Sequence, residues 1–330
     1  MNPKISVLIP AYNAEKTILA AVWSALNQDF DAFEVCVYND GSTDKTQQFL
    51  DGVDDARFRL FHGEKNQGIV QTRNLLVQNT TAPFVAWLDA DDIMLPGRLR
   101  AQYDYFHKHP ETDILGGYAE LRKVGLKDVL MPAGSVVKGP TNMDYLRTAM
   151  LFRNPFIHSS VMARNFFVKE NFLFDPEFEY TEDYDWFLRC RQAGKLFGVV
   201  SRPVVSYLIS SDTDQKNKET LNDTQAKWEK LLLRNFPFTG KENAGRVVGF
   251  LRSNKRLPAD TFVFLVDWLN RAERLCFAEE TKTTGTKAAL LLQRFRLYRL
   301  RYGLLPAVIW LLFQSPVVMV TLLRNRTRIV

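Results

Sequence analysis

The sequence predicts an α/β fold: a mixed, mostly parallel sheet flanked by helices, followed by a C-terminal helical extension. Three observations carry that expectation. Through the first half of the chain, short unbroken apolar runs rich in β-branched residues alternate with segments of helical period. Polar turns holding Pro, Gly, Asn or Asp separate them. From about Asp212 the alternation stops and long helical patterns take over.

In chain order, "ISVLIP" reads as a strand buried on both faces and ended by Pro10. "AEKTILAAVWSALNQ" follows as a helix with Ile18, Val22, Ala25 and Leu26 on one face. "FEVCVY" is the second strand, "NDGSTD" a turn, and "DKTQQFLDG" a short helix closed by Gly52. "RFRLFH" is the third strand, "GIVQTRNLLVQN" the third helix, and "PFVAWL" the fourth strand, which runs straight into Asp89, Asp91 and Asp92. Repeated strand–helix units imply a largely parallel sheet, whose ligands sit beyond the carboxyl ends of the strands. The sequence puts "PAYNAE", "NDGSTD", "GEKNQG" and "DADD" there. Aspartates as crowded as 89, 91 and 92 raise one another's pKa, so either a divalent cation neutralises them or they fan into solvent.

Composition narrows the classes. The 330 residues, 46% apolar and 24% charged, describe a globular chain able to bury a large core. A net charge of +6, from 43 Lys and Arg against 37 Asp and Glu, is modest, and nothing else points to nucleic acid. Cys36, Cys190 and Cys276 lack metal-ligand spacing, and an odd count argues against a disulfide framework, which fits a reducing, cytoplasmic compartment. "MNPKISVLIPAYNAE" reaches a Pro and a polar loop too soon for a secretory signal, so it reads as the first strand.

The ordered string "SVLIPAYNAE", "NDGSTDKT", "KNQGIVQTRN", "WLDADD" and "TEDYDWFLR" resembles the inverting glycosyltransferases of family two, nucleotide-diphospho-sugar transferases with the Rossmann-like GT-A fold. The resemblance spans residues 4–210. It implies transfer of a sugar from a nucleotide-diphospho-sugar, commonly a UDP-sugar, to an acceptor hydroxyl with inversion. It also implies a catalytic domain over residues 1–212, with a nucleotide-sugar half (1–112) and an acceptor half (113–212), ahead of the extension at 213–330.

Residue by residue, the resemblance makes Pro10, Ala11, Tyr12 and Glu15 contacts to the nucleoside. Tyr12 can lie against a base or ribose; the plainer reading is a half-buried tyrosine capping the sheet. Asp40 is implied to accept the ring N–H of the base, against an Asx-turn or helix-cap role, while Asp44 suits capping. Arg73 is implied to bind the diphosphate bidentately, against a solvated mid-helix arginine. Asp89, Ala90 and Asp91 match the DXD motif, in which Asp91 would ligate Mn²⁺ or Mg²⁺ and Asp89 would meet the ribose or approach the metal through water. Asp92 either stands in an outer shell of the metal or caps the "LPGRLRAQYDYF" helix.

In "TEDYDWFLRC", Asp183 lines up with Phe187 and Cys190 on an apolar stripe and is expected to point inward. It also falls on the family's Glu-Asp pair, which makes it the implied general base. Asp185 is expected in an exposed pair with Arg189, and Glu182 to complement the helix dipole. The chain departs from the family at "SYLISSDTD": many relatives carry a Tyr-Arg-x-His string whose histidine joins the metal site, and Leu208 and Ser210 stand at the corresponding places here. His158 is open between contacting acceptor or phosphate and a structural role.

In the extension, "DTQAKWEKLLLRNF" and "PADTFVFLVDWLNRAERLCFAEE" read as amphipathic helices. Arg294, Arg296, Arg299 and Arg301 then interleave with Leu, Phe and Tyr, and "LLPAVIWLLFQSPVVMVTLL" leads to Arg324, Arg326 and Arg328. The apolar piece approaches the ~20 residues of a membrane span. Pro306, Gln314 and Pro316 interrupt it, and basic flanks favour helices lying, from about residue 285, on an anionic membrane surface. The alternative is an ordinary helical appendage. These features point to a glycan or lipid-linked glycan acceptor in bacterial surface polysaccharide or lipopolysaccharide synthesis, with the enzyme peripheral on the cytoplasmic face of the inner membrane. Two rival readings stand: a catalytically degenerate GT-A protein that only binds glycan or nucleotide, and a nucleotidyltransferase. The latter wants a glycine-rich loop after strand one, and "PAYNAEK" has no glycine.

Overall fold

The computed structural model describes residues 2–124, 134–210, 221–252, 257–279, 283–302 and 307. Strand β1 (Ile5–Ala11) is buried along its whole length, as an unbroken apolar run requires. It pairs in parallel with β2 (Phe33–Asp40) on one side and β4 (Phe84–Trp87) on the other, and β2 pairs in parallel with β3 (Phe58–Gly63). Helices α1 (Ile18–Leu26), α2 (Thr46–Asp51) and α3 (Ile69–Gln78) provide the crossovers. The α1 face is Ile18, Ala21, Val22, Ala25 and Leu26. This helix starts later than its periodicity suggests because residues 14–17 form a turn, Thr17 N–H donating to the Ala14 carbonyl at 3.0 Å.

Beyond the parallel half, the sheet continues with β5 (Ile93–Met94), β6 (Ile114–Val124), β7 (Val136–Val137), β8 (Met162–Arg164) and β9 (Phe197–Ser210). The order is β3-β2-β1-β4-β8-β6-β9-β5, with β7 against β6. Pairings β4–β8, β8–β6 and β9–β5 are antiparallel and β6–β9 is parallel, so the sheet is mixed.

Two details of register build the site. The β1–β4 ladder ends at Leu8 with Trp87, while β1 runs on through Ile9, Pro10 and Ala11. The chain leaving β4 therefore turns beside the free end of β1. Residues 88–92 then join β4 to β5, although β8, β6 and β9 lie between them in the sheet. Four inter-strand steps of ~4.8 Å would ask about 19 Å of a flat sheet. A link that contains a turn, Asp92 N–H to the Asp89 carbonyl at 3.1 Å, cannot cover that, so the sheet curls and brings β9 round to the end of β4. Helix α4 (Arg98–Lys108) follows.

Helix α6 (Glu182–Gln192) is fixed through Trp186, whose ring stacks on Phe167 at 4.9 Å and whose Nε1 donates to the Phe172 carbonyl at 2.7 Å.

Contacts divide the chain into two units: Met1–Gly139 with Phe156–Glu219, and Pro140–Pro155 with Thr220–Val330. The second holds α5 (Met143–Ala149), α7 (Leu221–Asn235), α8 (Lys241–Arg252), α9 (Ala259–Glu279) and α10 (Thr284–Tyr302). Helix α5 comes from the stretch that a boundary at 212 gives to the acceptor half, yet it packs on α10. Phe152, Phe236 and Trp268 form the aromatic centre of this unit. Arg294 pairs with Glu273 and donates to Asn270 at 2.7 Å, and Arg296 lies over the Phe250 ring at 5.8 Å. These two arginines of the basic stretch are thus spent on packing within the unit. Among the described residues no helix is long and apolar enough to cross a membrane. The apolar segment from 304 to 323, apart from Ala307, and Arg324, Arg326 and Arg328 lie outside the described residues.

Gly41, directly after β2, has φ +66°, and a Cβ there would lie 2.6 Å from the Lys65 backbone. Gly41→Ala should destabilise the chain by at least about 1–2 kcal/mol, the cost of a left-handed non-glycine residue, and lower the urea midpoint accordingly.

Candidate active site

The loops after β1 and β2 are stitched to each other. Asn13 N–H donates to Ser42 Oγ at 2.9 Å, and Thr43 N–H returns a bond to Asn13 Oδ1 at 2.8 Å. Glu15 N–H donates to Asp44 Oδ2 at 3.1 Å, and Glu15 Oε2 accepts from Lys45 N–H at 3.1 Å. Asp44 also accepts from the Thr46 N–H at 2.9 Å, so it braces the start of α2. Slight burial would raise its pKa, but the bonds from Thr46 and Glu15 outweigh that and lower it. Pro10 and Ala11 are buried as the last residues of β1, and Tyr12 stands 45% exposed just past them. Asp40 is buried and accepts from Gln67 N–H and Gly68 N–H at 3.0 Å, holding the turn into α3. It braces the turn that leads into α3 and does not cap α2 next to it in sequence.

The solvated-arginine reading of Arg73 does not hold. Arg73 is buried, Nη2 donates to Asp89 Oδ1 at 3.0 Å, and Nη1 pairs with Glu182. Its guanidinium also lies 5.9 Å from the Trp87 ring centroid. Burial would lower its pKa, yet the charges of Asp89, Glu182 and Asp183 raise it. Glu182 is therefore more than a dipole partner. Burial, with Arg73 pulling against it, pushes its carboxyl up to about 7.

In α6 the expected facing of two acids is reversed. Asp185 is 0% exposed and pairs with Arg189 at 2.7 Å, while Asp183 is half-buried with Oδ1 accepting the Tyr184 N–H at 2.6 Å. The single-stripe argument fails because α6 is buried on several faces, with Tyr184, Trp186, Phe187, Leu188 and Cys190 all inside. A half-open carboxylate is the one of the pair able to meet a substrate hydroxyl.

Asp89 and Asp91 are half-buried at the turn after β4, and Ala90 between them packs on the core. Asp92 does not cap α4, which is N-capped by Gly97. It is fully buried, and Oδ1 accepts the Leu208 N–H at 2.8 Å. Burial, then the charges of Asp89 and Asp91, push its pKa up to about 8. The phenol of Tyr207, on β9, is raised by burial and by the charges of Asp92, Asp89, Asp91 and Asp183.

His158 is structural in its surroundings. It is buried, stacks on Trp87 at 4.9 Å and meets Phe174 edge-on. Burial, then Arg73 and Arg98, drive its pKa well down. Arg98, which the sequence does not single out, is fully buried and donates to the carbonyls of Ser159, Trp87 and Val161 at 2.5–3.2 Å. It ties α4 to the strand that delivers the acids. Asn13 was equally silent, although asparagine in a polar turn is among the residues enriched in the left-handed region, where its φ of +47° places it.

A curled mixed sheet, with stitched loops at the ends of its parallel strands and acids from the β4 turn and α6 joined through Arg73, is the GT-A architecture. Residues 6–162 carry a glycosyltransferase family 2 domain, since the sequence profile described as Glycosyl transferase family 2 matches them. The chain is 28% identical to an uncharacterized glycosyltransferase of Haemophilus influenzae over 232 residues, 68% of this chain and 72% of that one. It is 32% identical over 114 residues to the UDP-Glc:alpha-D-GlcNAc-diphosphoundecaprenol beta-1,3-glucosyltransferase WfgD of Escherichia coli, covering 34% of this chain and 45% of that one. The crystal structure of S. aureus TarS 1–349 in complex with UDP-GlcNAc shares the fold, with TM-score 0.58 and 18% identity over 93% of this chain and 90% of that one.

The Asp92 proton sets a stability window. Unfolded, the group ionises near 3.8; folded, near 8, so the native state keeps a proton that the unfolded chain releases. Its contribution is full at low pH and is lost as pH rises toward 8. In chelator, Asp92→Asn should therefore gain stability relative to the parent between about pH 5 and about pH 8.5, read as urea midpoints; a constant difference would contradict the assignment.

Proposed function

We propose that the chain moves a sugar from a nucleotide-diphospho-sugar, a UDP-sugar, to an acceptor hydroxyl with inversion. The observation that carries the reading is Arg73, bound at once to Asp89 of the β4 turn and Glu182 at the head of α6. It supports a donor turn and a base helix working on one centre. The exposed Tyr12, with Pro10, Ala11, Glu15 and Asp40 around the same strand ends, suits a nucleoside.

The acids suit a hard cation. Among the described residues no three His, Cys, Asp or Glu side chains gather as a metal cage. Asp89 and Asp91 instead offer two half-buried carboxylates, the sparse set that Mg²⁺ or Mn²⁺ takes when phosphates and water complete its shell. Bound there, the ion would supply Lewis-acid stabilisation to the departing nucleoside diphosphate. The chain's own part is positional and acid–base. Arg73 neutralises Asp89 and Glu182 and keeps the head of α6 in place. Asp183 accepts the acceptor's hydroxyl proton as that oxygen bonds the anomeric carbon, while the bond from that carbon to the phosphate oxygen breaks on the opposite face.

A lipid-linked glycan acceptor at the cytoplasmic face of the inner membrane, in surface polysaccharide or lipopolysaccharide synthesis, is the setting we propose. The basic and apolar pattern from Arg299 onward supports it, as does the diphosphoundecaprenol acceptor in the name of WfgD. A chain ending at Tyr302 should then stay in the supernatant of a flotation assay with anionic vesicles, while the full chain floats; equal behaviour would remove the membrane assignment.

Calorimetry with UDP-, GDP- and TDP-sugars, with and without Mn²⁺, tests the donor. Binding should need Mn²⁺, select UDP, and vanish in Asp91→Asn. Asp183→Asn should bind donor normally and lose about 10²–10⁴-fold in turnover. Tight donor binding by the parent without any transfer or hydrolysis would favour the degenerate, binding-only reading.

A further inference from the structure

Three contacts fix the turn that carries Asp89 and Asp91. Asp89 N–H donates to Ser159 Oγ at 2.9 Å, Leu208 N–H donates to Asp92 Oδ1 at 2.8 Å, and Arg122 Nη2 donates to the Asp91 main-chain carbonyl at 2.7 Å. Beside the Arg73 bond to Asp89, the third brings a second guanidinium to this turn. Arg122 stands on β6, level with Leu208 of β9 in the parallel register, so the two side chains leave the same face of the sheet. Leu208 contributes no charge to that face. Arg122 also keeps a buried Nε with no partner among the described residues.

The chemistry of the neighbourhood gives this contact its meaning. Asp89, Asp91, Asp92 and Asp183 all bear on the Tyr207 phenol, one residue before Leu208. Arg73 is already engaged by Asp89 and Glu182, which come from β4 and α6. Arg122 is the guanidinium that reaches the turn from the β6 side. A donor on the carbonyl of Asp91 fixes the plane of the peptide that follows, and with it the direction in which the Asp91 side chain leaves the backbone. Ligands held by such outer contacts bind their ion less tightly when the contact is removed.

We infer that Arg122 is a positioning residue of the donor site: it pins the Asp91 peptide so that the Asp91 carboxylate is presented to the cation, and it offsets the acidic turn from the strand where Leu208 is apolar. The inference rests on Asp91 being a cation ligand. The departure from the family string at Leu208 is then matched by a cation one strand away.

Mn²⁺ binding in the presence of UDP, followed by the electron paramagnetic resonance signal of the free ion, tests this without any turnover measurement. Arg122→Met should weaken Mn²⁺–UDP binding by about 10–100-fold, with Arg122→Lys falling between it and the parent. Thermal midpoints of the metal-free variants should stay within about 1 °C of the parent, below the ~2 °C or more that a 1 kcal/mol core defect produces in a unit of this size. An Arg122→Met chain that binds Mn²⁺–UDP as tightly as the parent overturns the inference. So does a loss of affinity matched by collapse of the metal-free midpoint in both variants, which would mark a purely structural arginine. If Arg122→Met does not fold, Arg122→Lys decides, and parental affinity there overturns it. A parent that binds no Mn²⁺–UDP brings down the transferase reading itself, and this inference with it.

Discussion

A buried guanidinium between two carboxylates organises this molecule. Arg73 has almost no access to water, and burying a charge of that kind is costly unless partners surround it. Its partners come from elements far apart in sequence, Asp89 after β4 and Glu182 at the start of α6, 109 positions from Arg73. Burial pushes the Glu182 carboxyl up even with the arginine beside it, and the arginine would not be tolerated on a buried helix face without acids to pair with. The three groups therefore have to assemble together. Their assembly fixes α3, the end of β4 and the head of α6 at a single point, and everything of chemical interest hangs from those three places.

Around that point, four aspartates of one residue type are made different by their surroundings. Asp89 is held by Arg73; Asp91 has its peptide gripped by Arg122; Asp92 is buried against the Leu208 N–H and favours its neutral form; Asp183 is half-open at the head of a helix. The curl of the sheet makes this sorting possible. It carries β9 and β6 back to the end of β4, so that strands late in the chain supply contacts to a turn formed early.

Most of the parallel half was legible in the sequence, because strands buried on both faces must be unbroken apolar runs and their turns must be polar. The positions of "PAYNAE", "NDGSTD" and "DADD" at one sheet edge followed from that alternation alone. What was not legible was which acids would be buried. Helical spacing turned Asp183 inward and Asp185 outward, and the structure has the reverse, since α6 is enclosed on several sides and one stripe no longer defines its interior. Asp92, Arg73 and Glu182 were hidden for a related reason: each is settled by a partner from a distant element, and periodicity carries no information about partners. Strand β5, two residues long, gave no periodic signal, and α5 gave no sign that it packs on α10, which begins about 135 positions after α5 ends.

That last placement bears on how the protein can be made and changed. Because Pro140–Pro155 folds with the helices after Thr220, the chain passes from one unit to the other, returns, and passes again. During synthesis the helical unit cannot be completed when its first helix leaves the ribosome; that segment must wait until the rest of its partners emerge. For the same reason the unit is not a cassette that recombination could append or remove at a single joint. A lineage carrying this arrangement would have to inherit both pieces together.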